Sequence, residues 1–587
     1  MQKDNRILTI LVLIVFLITA SCSESKTIFY MLSSSISPDR DNIFHDFHKQ
    51  PTVNIEDFNH NGKLYYLCKV WGFIKYHDEA LDTKILNWNQ VLLRNIPEVI
   101  AAQNPDEFRQ VINNMLQNIK QGDIVKKSVK QRNMRLLRYN QANLDWAKNN
   151  TYLNSEISHL LSEMLLNRKG IASPYIKNSR SGNLRFPNEK DYDTTFYPSH
   201  EQRLFGLFNY WNAINYFYVN KNIMDQSWDS VLIEMIPHFY HAKDSFDYNL
   251  AVVKLISKLN DGHSIVHSTI IDEVVYPVNV PTFRLRRIND TFYIKKRQVQ
   301  NGDNQVYNGD ILLRVNEKPA GEIYDSIAQL RGFSNLEAAQ VEVNPYMVLT
   351  SEDSIHIRIQ RNEDEIDINT PSRHWQQMRK EEKTFCDSNR AKPLIYPTSD
   401  VAYINLKTFN RKHFSELNKV KKYNKVIIDV RAYPKSKVTL ELIDFFTPSG
   451  KRFAKIRYSD VRYPGISRVT GSFKILPKTY TYSGNIILLV DENTQSEAEY
   501  LVMALQQAKN VITVGSRTAG ADGNITFFRF PGKIKSSFSG LSIYYPDLRP
   551  TQRVGIHIDH WVENSVDDFK NDKDAVLEYA LQLFNKT

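Results

Sequence analysis

The chain has 587 residues, of which 42% are hydrophobic and 12% aromatic, so it is long enough for about three or four packed domains rather than one core. Its 75 Lys and Arg residues against 65 Asp and Glu residues give a formal charge of +10, which is spread along the chain without any nucleic-acid-binding motif. The composition therefore favours a packed multidomain protein and argues against a nucleic-acid partner.

The first residues predict export and lipid attachment. Two basic residues precede an apolar run at 7–18, which is short for a membrane span and typical of a signal peptide. The sequence TASC that ends at Cys22 resembles a bacterial lipobox, although Thr19 replaces the usual Leu. This resemblance implies a leader at 1–22, lipid attachment to Cys22 and a linker at 23–59. An uncleaved signal anchor is the alternative.

Cysteine use adds one constraint. Beyond Cys22 the chain has only Cys68 and Cys386, so no disulfide framework is expected even in an exported protein. Cys68 lies within an apolar helical pattern and is predicted to be buried.

A repeat occupies the next part of the chain. Residues 63–123 align with residues 203–263 without a gap after a shift of 140 positions, and the alignment pairs tryptophan with tryptophan at 71/211 and 88/228. Apolar residues in each copy have helical spacing. We therefore predict two copies of one helical unit, at 60–195 and 196–271, with the tryptophans in their cores.

The two copies differ at their ends. Where the second copy reads Asp261-Gly262-His263, the first reads Gln121-Gly122-Asp123, so only the second offers an imidazole. We interpret the first copy as scaffold and the second as the donor of a possible base.

Residues 272–370 change to alternating apolar and polar residues, which indicate strands at 283–285, 292–294, 311–315 and 355–359. The stretch 308–319 resembles the "G-D-x-I-L-x-I-N-G-x-P" segment of PDZ domains, which bind a peptide as an added strand. No clear carboxylate-binding loop accompanies it. A peptide-binding domain and a purely structural spacer therefore both remain open.

Residues 390–587 alternate strands and helices and predict an α/β domain. Strands are expected at 401–406, 426–429 and 486–490, and helices at 415–420 and 496–509. Ser496 falls at the turn from the last strand to the last helix, where free amides and the helix dipole favour a developing oxyanion. This position suits a serine nucleophile. Because Glu499 follows three residues later, a capping box is the alternative explanation.

Several segments, in a fixed order, resemble the S41 serine peptidases, the group of C-terminal processing and tricorn-like peptidases. They are LNDGHS (259–264), KVIIDVRAYP (425–434), VDENTQSEAE (490–499), GSRTAGADGN (515–524) and TQRVGIHID (551–559). The resemblance implies a ClpP/crotonase-like fold for the last domain, a peptide or protein substrate, and neither a metal nor an organic cofactor. It also implies that Ser496 is the nucleophile, His263 the base, and the amides of Glu497 and Ala432 the oxyanion donors.

Two departures from the family pattern bear on the mechanism. The "T-x-G-K-G" lysine of the C-terminal processing branch is missing at 518–523, which favours the tricorn-like Ser-His arrangement. Gln552 stands where tricorn-like relatives carry Glu, and a neutral amide can orient an imidazole but cannot stabilise imidazolium by charge. Asp522, Asp261 and Glu499 are candidates for a replacement carboxylate, and the sequence does not rank them.

The sequence thus predicts a multidomain α+β protein: a duplicated helical region, a PDZ-like β domain and an α/β peptidase domain. The expected function is a lipid-anchored serine endopeptidase of the bacterial cell envelope. The alternative is a non-catalytic, peptide-binding envelope lipoprotein with the same fold, favoured by Ala432 and Gln552. Neither the substrate preference nor the oligomeric state follows from the sequence.

Overall fold

The structure is a computed structural model. It describes residue 53 and residues 55–586, except 118, 120–143, 149, 180, 190–194, 275–276, 300–301, 303–304, 389–391, 436–437 and 477–479. The predicted leader and the lipidation site Cys22 lie outside the described residues. Within the described part, no helix combines the length and the apolarity that a membrane crossing requires.

The N-terminal part is mainly helical. Its helices are α1 (His60–His77), α2 (Trp88–Ala101), α3 (Pro105–Leu116), α4 (Ser155–Leu166), α5 (His200–Phe217), α6 (Trp228–Tyr240), α7 (Ser245–Ser257) and α8 (Thr269–Val274). Three short strands lie among them, β1 (Lys177–Asn178), β2 (Leu184–Arg185) and β3 (Val266–His267), of which β1 and β2 pair with each other.

Helices α5–α7 begin 140 residues after α1–α3. Both sets of three helices contain the same pair of buried hydrogen bonds between indole N–H groups and tryptophan carbonyls. Trp71 and Trp88 donate to each other's carbonyl at 3.0 Å, and Trp211 and Trp228 do so at 2.7 and 2.9 Å. All four side chains are buried, as is Cys68, so the predictions that they are core residues are confirmed.

The middle part is a seven-stranded sheet with helices. Its strands are β4 (Asn279–Pro281), β5 (Phe283–Ile288), β6 (Thr291–Lys296), β7 (Ile311–Val315), β8 (Lys318–Pro319), β9 (Ser354–Arg361) and β10 (Asp364–His374). Their order is β4-β10-β9-β7-β6-β5, with β8 paired to β7. The helices are α9 (Ala320–Ala328), α10 (Ala339–Glu342) and α11 (Trp375–Ser388). The strands predicted from alternation fall in β5, β6, β7 and β9, where buried and less buried residues alternate.

The C-terminal part is α/β. Its strands are β11 (Leu394–Ile395), β12 (Val401–Asn405), β13 (Lys425–Asp429), β14 (Arg452–Ser459), β15 (Ser467–Val469), β16 (Phe473–Lys474), β17 (Asn485–Val490), β18 (Val511–Gly515), β19 (Ile525–Phe530), β20 (Ile534–Ser539), β21 (Leu541–Tyr544) and β22 (His560–Trp561). Its helices are α12 (Leu417–Val420), α13 (Val438–Phe446), α14 (Glu497–Leu505), α15 (Val566–Lys570) and α16 (Ala575–Lys586).

The central sheet of this part has the order β11-β12-β13-β17-β18-β22 and is parallel from β12 onward. Its middle strands are continuous apolar runs because helices cover both faces: α13 and α14 pack on one, and α16 packs on the other. Helix α14 ends at Leu505, so the predicted helix to 509 was too long. Helix α12 starts only at Leu417, because residues 411–416 form a 3₁₀ turn.

The hairpin β19–β20 joins the C-terminal part to the helical part. Its side chains Phe528, Phe530, Ile534 and Phe538 belong to the same core as the helices. Strand β20 also pairs antiparallel with β3, placing Lys535 opposite His267 and Ser536 opposite Val266. The segment between α7 and β3, which carries His263, is thereby fixed against the C-terminal part.

Candidate active site

Ser496 lies at a strained turn between β17 and α14. Its backbone has φ 56° and ψ −117°, a left-handed region that costs a non-glycine residue of the order of 1–3 kcal/mol. The predicted capping box between Ser496 and Glu499 is present. An ordinary N-cap residue has an extended backbone, however, so capping alone does not account for the positive φ of Ser496. A sharp strand-to-helix turn of this kind is the usual support of a serine nucleophile at the end of a parallel sheet.

Buried polar contacts hold the turn. The Thr494 hydroxyl donates to the Val430 carbonyl at 2.9 Å, which ties the turn to the end of β13. The buried Glu499 carboxylate accepts the Ser496 N–H at 3.2 Å and the Thr518 hydroxyl at 2.6 Å. It also accepts the N–H groups of residues 520 and 521 at 2.9 and 3.1 Å. The turn is therefore fixed on two sides, by β13 and by the 518–521 loop.

A second buried carboxyl lies beside Glu499. Burial and then the Glu499 charge raise the pKa of Asp522 well above its usual range, and burial raises the pKa of Glu499 to about 7. Four donors point at Glu499, whereas Asp522 Oδ2 has no hydrogen-bond partner among the described residues. The proton that the two carboxyls hold near neutral pH therefore belongs on Asp522.

The loop after β13 supplies the second predicted oxyanion donor. The Ala432 N–H makes no hydrogen bond with any described residue. The next residue, Tyr433, places its phenol beside the Ser496 hydroxyl, and burial followed by the Glu497 charge raises the pKa of Tyr433 to about 12. Tyr433 is therefore a protonated donor over the whole physiological range. On the helix side, the Glu497 side chain accepts the Thr439 hydroxyl at 2.6 Å.

Arg431 anchors this loop through two carboxylates. Its guanidinium donates to Asp429 at 2.8 and 2.9 Å and to Asp574 at 2.7 and 2.8 Å. Asp429 also accepts the Tyr403 hydroxyl at 2.5 Å. The bidentate geometry fixes the backbone that carries Ala432.

His263 reaches the site from the helical part. It is 6% exposed, and burial lowers its pKa while the Asp261 charge acts in the opposite direction. A side chain on the preceding Gly262 would lie 3.1 Å from the Gln495 amide nitrogen and 3.1 Å from the Ala521 Cβ. Both contacts would be tight, so the lack of a side chain at Gly262 favours the close approach of the histidine segment to the nucleophile turn.

Asp261 is the carboxylate that a shared serine links to the imidazole. His263 Nδ1 lies 2.9 Å from the Ser539 hydroxyl, which in turn donates to Asp261 at 2.9 Å. The Gln552 amide donates to Asp261 at 3.2 Å and lies 3.5 Å from the Ser334 hydroxyl. Among the described residues Gln552 is therefore linked to the imidazole through Asp261 and Ser539, and no direct hydrogen bond joins the two.

The structure places the predicted site residues in two neighbouring sets. Ser496, Ala432 and Glu497 lie at the carboxyl edge of the sheet, whereas His263 and Gln552 are linked to each other through Ser539 and Asp261. The two sets approach each other at Gly262, and no hydrogen bond joins the Ser496 hydroxyl to the His263 imidazole in the described chain. Catalytic hydrogen bonds are often long in ligand-free enzymes.

Sequence reasoning missed Ser539 and Tyr433. Ser539 belongs to a row of buried serines in β20, and such a row in a core strand is the one signal that pointed to it. Tyr433 could have been found as the bulky residue that directly follows the expected oxyanion donor.

A strained serine at the carboxyl edge of a parallel sheet, beside amide donors and a buried histidine, is typical of a serine-type hydrolase. Residues 400–562 match the profile of the family described as Peptidase family S41. This match identifies the 400–562 region as a peptidase domain of the S41 type, the domain of a serine-type peptidase. The matched region contains Ser496 and Ala432, but His263 and Asp261 lie outside it.

Among solved structures, the chain is similar to CPAF, a mutant of CPAF and the photosystem II D1 C-terminal processing protease. For the CPAF mutant the identity is 13%, with 65% of this chain and 96% of that chain covered and a TM-score of 0.50. For mature CPAF complexed with lactacystin the identity is 13%, the match covers 65% of this chain and 97% of that chain, and the TM-score is 0.49. For the D1 processing protease the identity is 12%, the match covers 62% of this chain and 93% of that chain, and the TM-score is 0.38. At this identity the likeness concerns the fold alone. No curated protein matches the sequence.

Proposed function

We propose that the protein is a lipid-anchored serine endopeptidase of the cell envelope that uses Ser496 as nucleophile and His263 as general base. The observation that carries this proposal is the strained backbone of Ser496 at the first turn of α14. A protein that only binds peptides has no need of such a turn, and for that reason the non-catalytic alternative is not favoured.

The chemistry follows from the placement of the groups. His263 Nε2 takes the Ser496 proton as the oxygen attacks the peptide carbonyl, and the imidazolium then protonates the leaving amine. Water repeats the sequence on the acyl-enzyme and releases the second product. The proton transfer requires Nε2 within about 3 Å of the hydroxyl, so we propose that substrate closes the gap between the two side chains.

The amides of Ala432 and Glu497 stabilise the oxyanion in this proposal. Both residues flank the nucleophile, one at the end of β13 and one at the start of α14. Removing one such donor typically costs a factor of about 10² to 10³ in turnover.

The other parts of the chain are assigned from the repeat, the middle sheet and the sequence resemblance. The common offset of 140 residues and the matching tryptophan pairs support two copies of one helical unit. The sheet β4–β10 supports a PDZ-like domain that binds part of the substrate. The lipid anchor at Cys22 and the ClpP/crotonase-like assignment of the last domain rest on sequence resemblance.

The proposal is tested by labelling the protein from Ser23 onward with a fluorophosphonate probe and mapping the adduct by peptide mass spectrometry. We expect one adduct, on Ser496, which disappears in Ser496→Ala and in His263→Ala. His267→Ala is the matched control, because His267 is an exposed histidine on β3, four residues after His263. The His267→Ala variant should be labelled like the wild type. A folded protein without an adduct, or with equal labelling in His263→Ala, would refute the mechanism.

A further inference from the structure

Asp261 is a fully buried carboxylate that the family resemblance does not assign. Its Oδ1 accepts the backbone N–H of His263 at 3.0 Å, the Ser539 hydroxyl at 2.9 Å and the side-chain amide of Gln552 at 3.2 Å. Its Oδ2 accepts the Ser539 N–H at 2.7 Å and the Tyr218 hydroxyl at 3.3 Å. A buried carboxylate with so many donors is held in one position.

Ser539 connects this carboxylate to the imidazole, and the direction of its hydrogen bonds is determined. A hydroxyl has one proton, and an ionised carboxylate can only accept, so the Ser539 O–H donates to Asp261. The oxygen of Ser539 must then accept from His263 Nδ1–H across the 2.9 Å contact. The proton of the neutral imidazole is thereby placed on Nδ1, and Nε2 is left as the basic nitrogen.

Gln552 occupies the place where the resemblance predicted an acid. Its amide N–H₂ donates to Asp261, and its Oε1 has no partner among the described residues. The negative charge therefore comes from the residue two positions before His263, while Gln552 supports that charge as a neutral donor.

We propose that Asp261 and Ser539 are positioning residues of this active site: Ser539 carries the hydrogen bond from Asp261 to His263 and fixes the tautomer that lets Nε2 act as base. This inference rests on the proposed role of His263. It identifies Asp261 as the carboxylate that acts in this site, where Gln552 stands in place of the family's Glu. Both side chains are fully buried, so their role is to position the imidazole.

Three titratable side chains among the described residues have a pKa that the Asp261 charge affects. The titratable groups that face it are His263 on its own segment and Tyr210 and Tyr218 from α5 and its C-terminal end. Burial and then the Asp261 charge raise the pKa of both tyrosines, so they stay neutral. Ser539 from β20 and Gln552 complete the shell and do not titrate. The imidazolium that forms during catalysis is thus stabilised by one carboxylate.

The test compares Ser539→Ala with Ser536→Ala. Both serines are 0% exposed on β20, but the Ser536 hydroxyl has no hydrogen-bond partner in the described structure, which makes it a matched control. We expect the fluorophosphonate labelling rate of Ser496 to fall about 10- to 100-fold in Ser539→Ala, and to stay within about twofold in Ser536→Ala. The loss should appear in the maximal rate and not in the apparent affinity for the probe.

Asp261→Asn and Ser539→Thr extend the comparison. Asp261→Asn should reduce the rate about 10²- to 10⁴-fold, and the pH midpoint of the remaining rate should move to lower pH because the charge that supports imidazolium is gone. Ser539→Thr keeps the hydroxyl and should recover most of the rate lost in Ser539→Ala. Equal rates in Ser539→Ala and Ser536→Ala would overturn the proposal.

A second readout separates this inference from the proposed function. In perdeuterated protein with ¹⁵N-labelled histidine, the His263 signals, assigned with His263→Gln, should show a proton on Nδ1 in the wild type and a mixture of tautomers in Ser539→Ala. If wild-type Ser496 does not label but this tautomer shift is seen, the peptidase mechanism fails and the Asp261–Ser539 link stands. If labelling occurs and the tautomer is the same in both proteins, the link fails.

Discussion

Replacing Arg431 with Gln should loosen the strand that carries the oxyanion loop. Arg431 forms two bidentate ion pairs of unequal exposure: the Asp429 side chain is 12% exposed and that of Asp574 is 38%. An exposed pair contributes about 0–1 kcal/mol, whereas leaving a buried carboxylate unpaired costs about 3–5 kcal/mol. Because Tyr403 still donates to Asp429 in the variant, we expect the lower end of that range, a loss of about 3 kcal/mol.

Hydrogen exchange followed by mass spectrometry measures this loss at β13 itself, which avoids assuming two-state unfolding of a multidomain chain. A double-mutant cycle with Asp574→Asn should give a coupling of about 0.5–1 kcal/mol. Arg549→Gln is the control, because its ion pair with Asp547 is exposed on both sides, at 59% and 56%. A loss below about 1 kcal/mol at β13 in Arg431→Gln would show that the network does not hold the loop.

Three further variants probe the nucleophile turn. Tyr433→Phe removes a donor beside Ser496, so the labelling rate should fall about tenfold; an unchanged or higher rate would mean that the phenol only covers the serine. Thr494→Val removes the buried hydrogen bond from the Thr494 hydroxyl to the Val430 carbonyl, and the free energy of opening at β13, measured by hydrogen exchange, should fall by about 1–2 kcal/mol. Ser542→Ala is the control and should cause no change, because the Ser542 hydroxyl has no partner among the described residues. Asp522 has a pKa raised by burial, so its stabilising contribution is present in the neutral form and is lost as the pH rises through the folded-state pKa. Asp522→Asn stays neutral, and its melting temperature should therefore fall less between pH 6 and pH 9 than that of the wild type, with parallel curves as the contrary result.

The sequence was informative where function coincides with local pattern. The apolar run of β17 and the helical spacing of α14 placed Ser496 at a turn, and the shift of 140 residues set the register of the helical units. Both signals depend on neighbouring residues, whose periodicity follows directly from the geometry of strands and helices.

The contacts behind the imidazole had no local signal. Ser539 lies 276 residues from His263 in the chain, and a serine in a strand can be a solvated or a buried residue. Only the pairing of β3 with β20 brings the two together. Asp261, which stands next to the histidine motif, was one of three carboxylates that could not be ranked, because ranking required knowing which of them shares a hydrogen-bonded neighbour with His263.

Because β3 pairs with β20, the active site can form only after most of the chain has been synthesised. The histidine is translated long before the hairpin that fixes it, and the serine lies between them in the chain. A chain that ends before β19 would have its nucleophile and its base on segments that lack the pairing between β3 and β20. The fold therefore delays the assembly of the site until these late strands have been made.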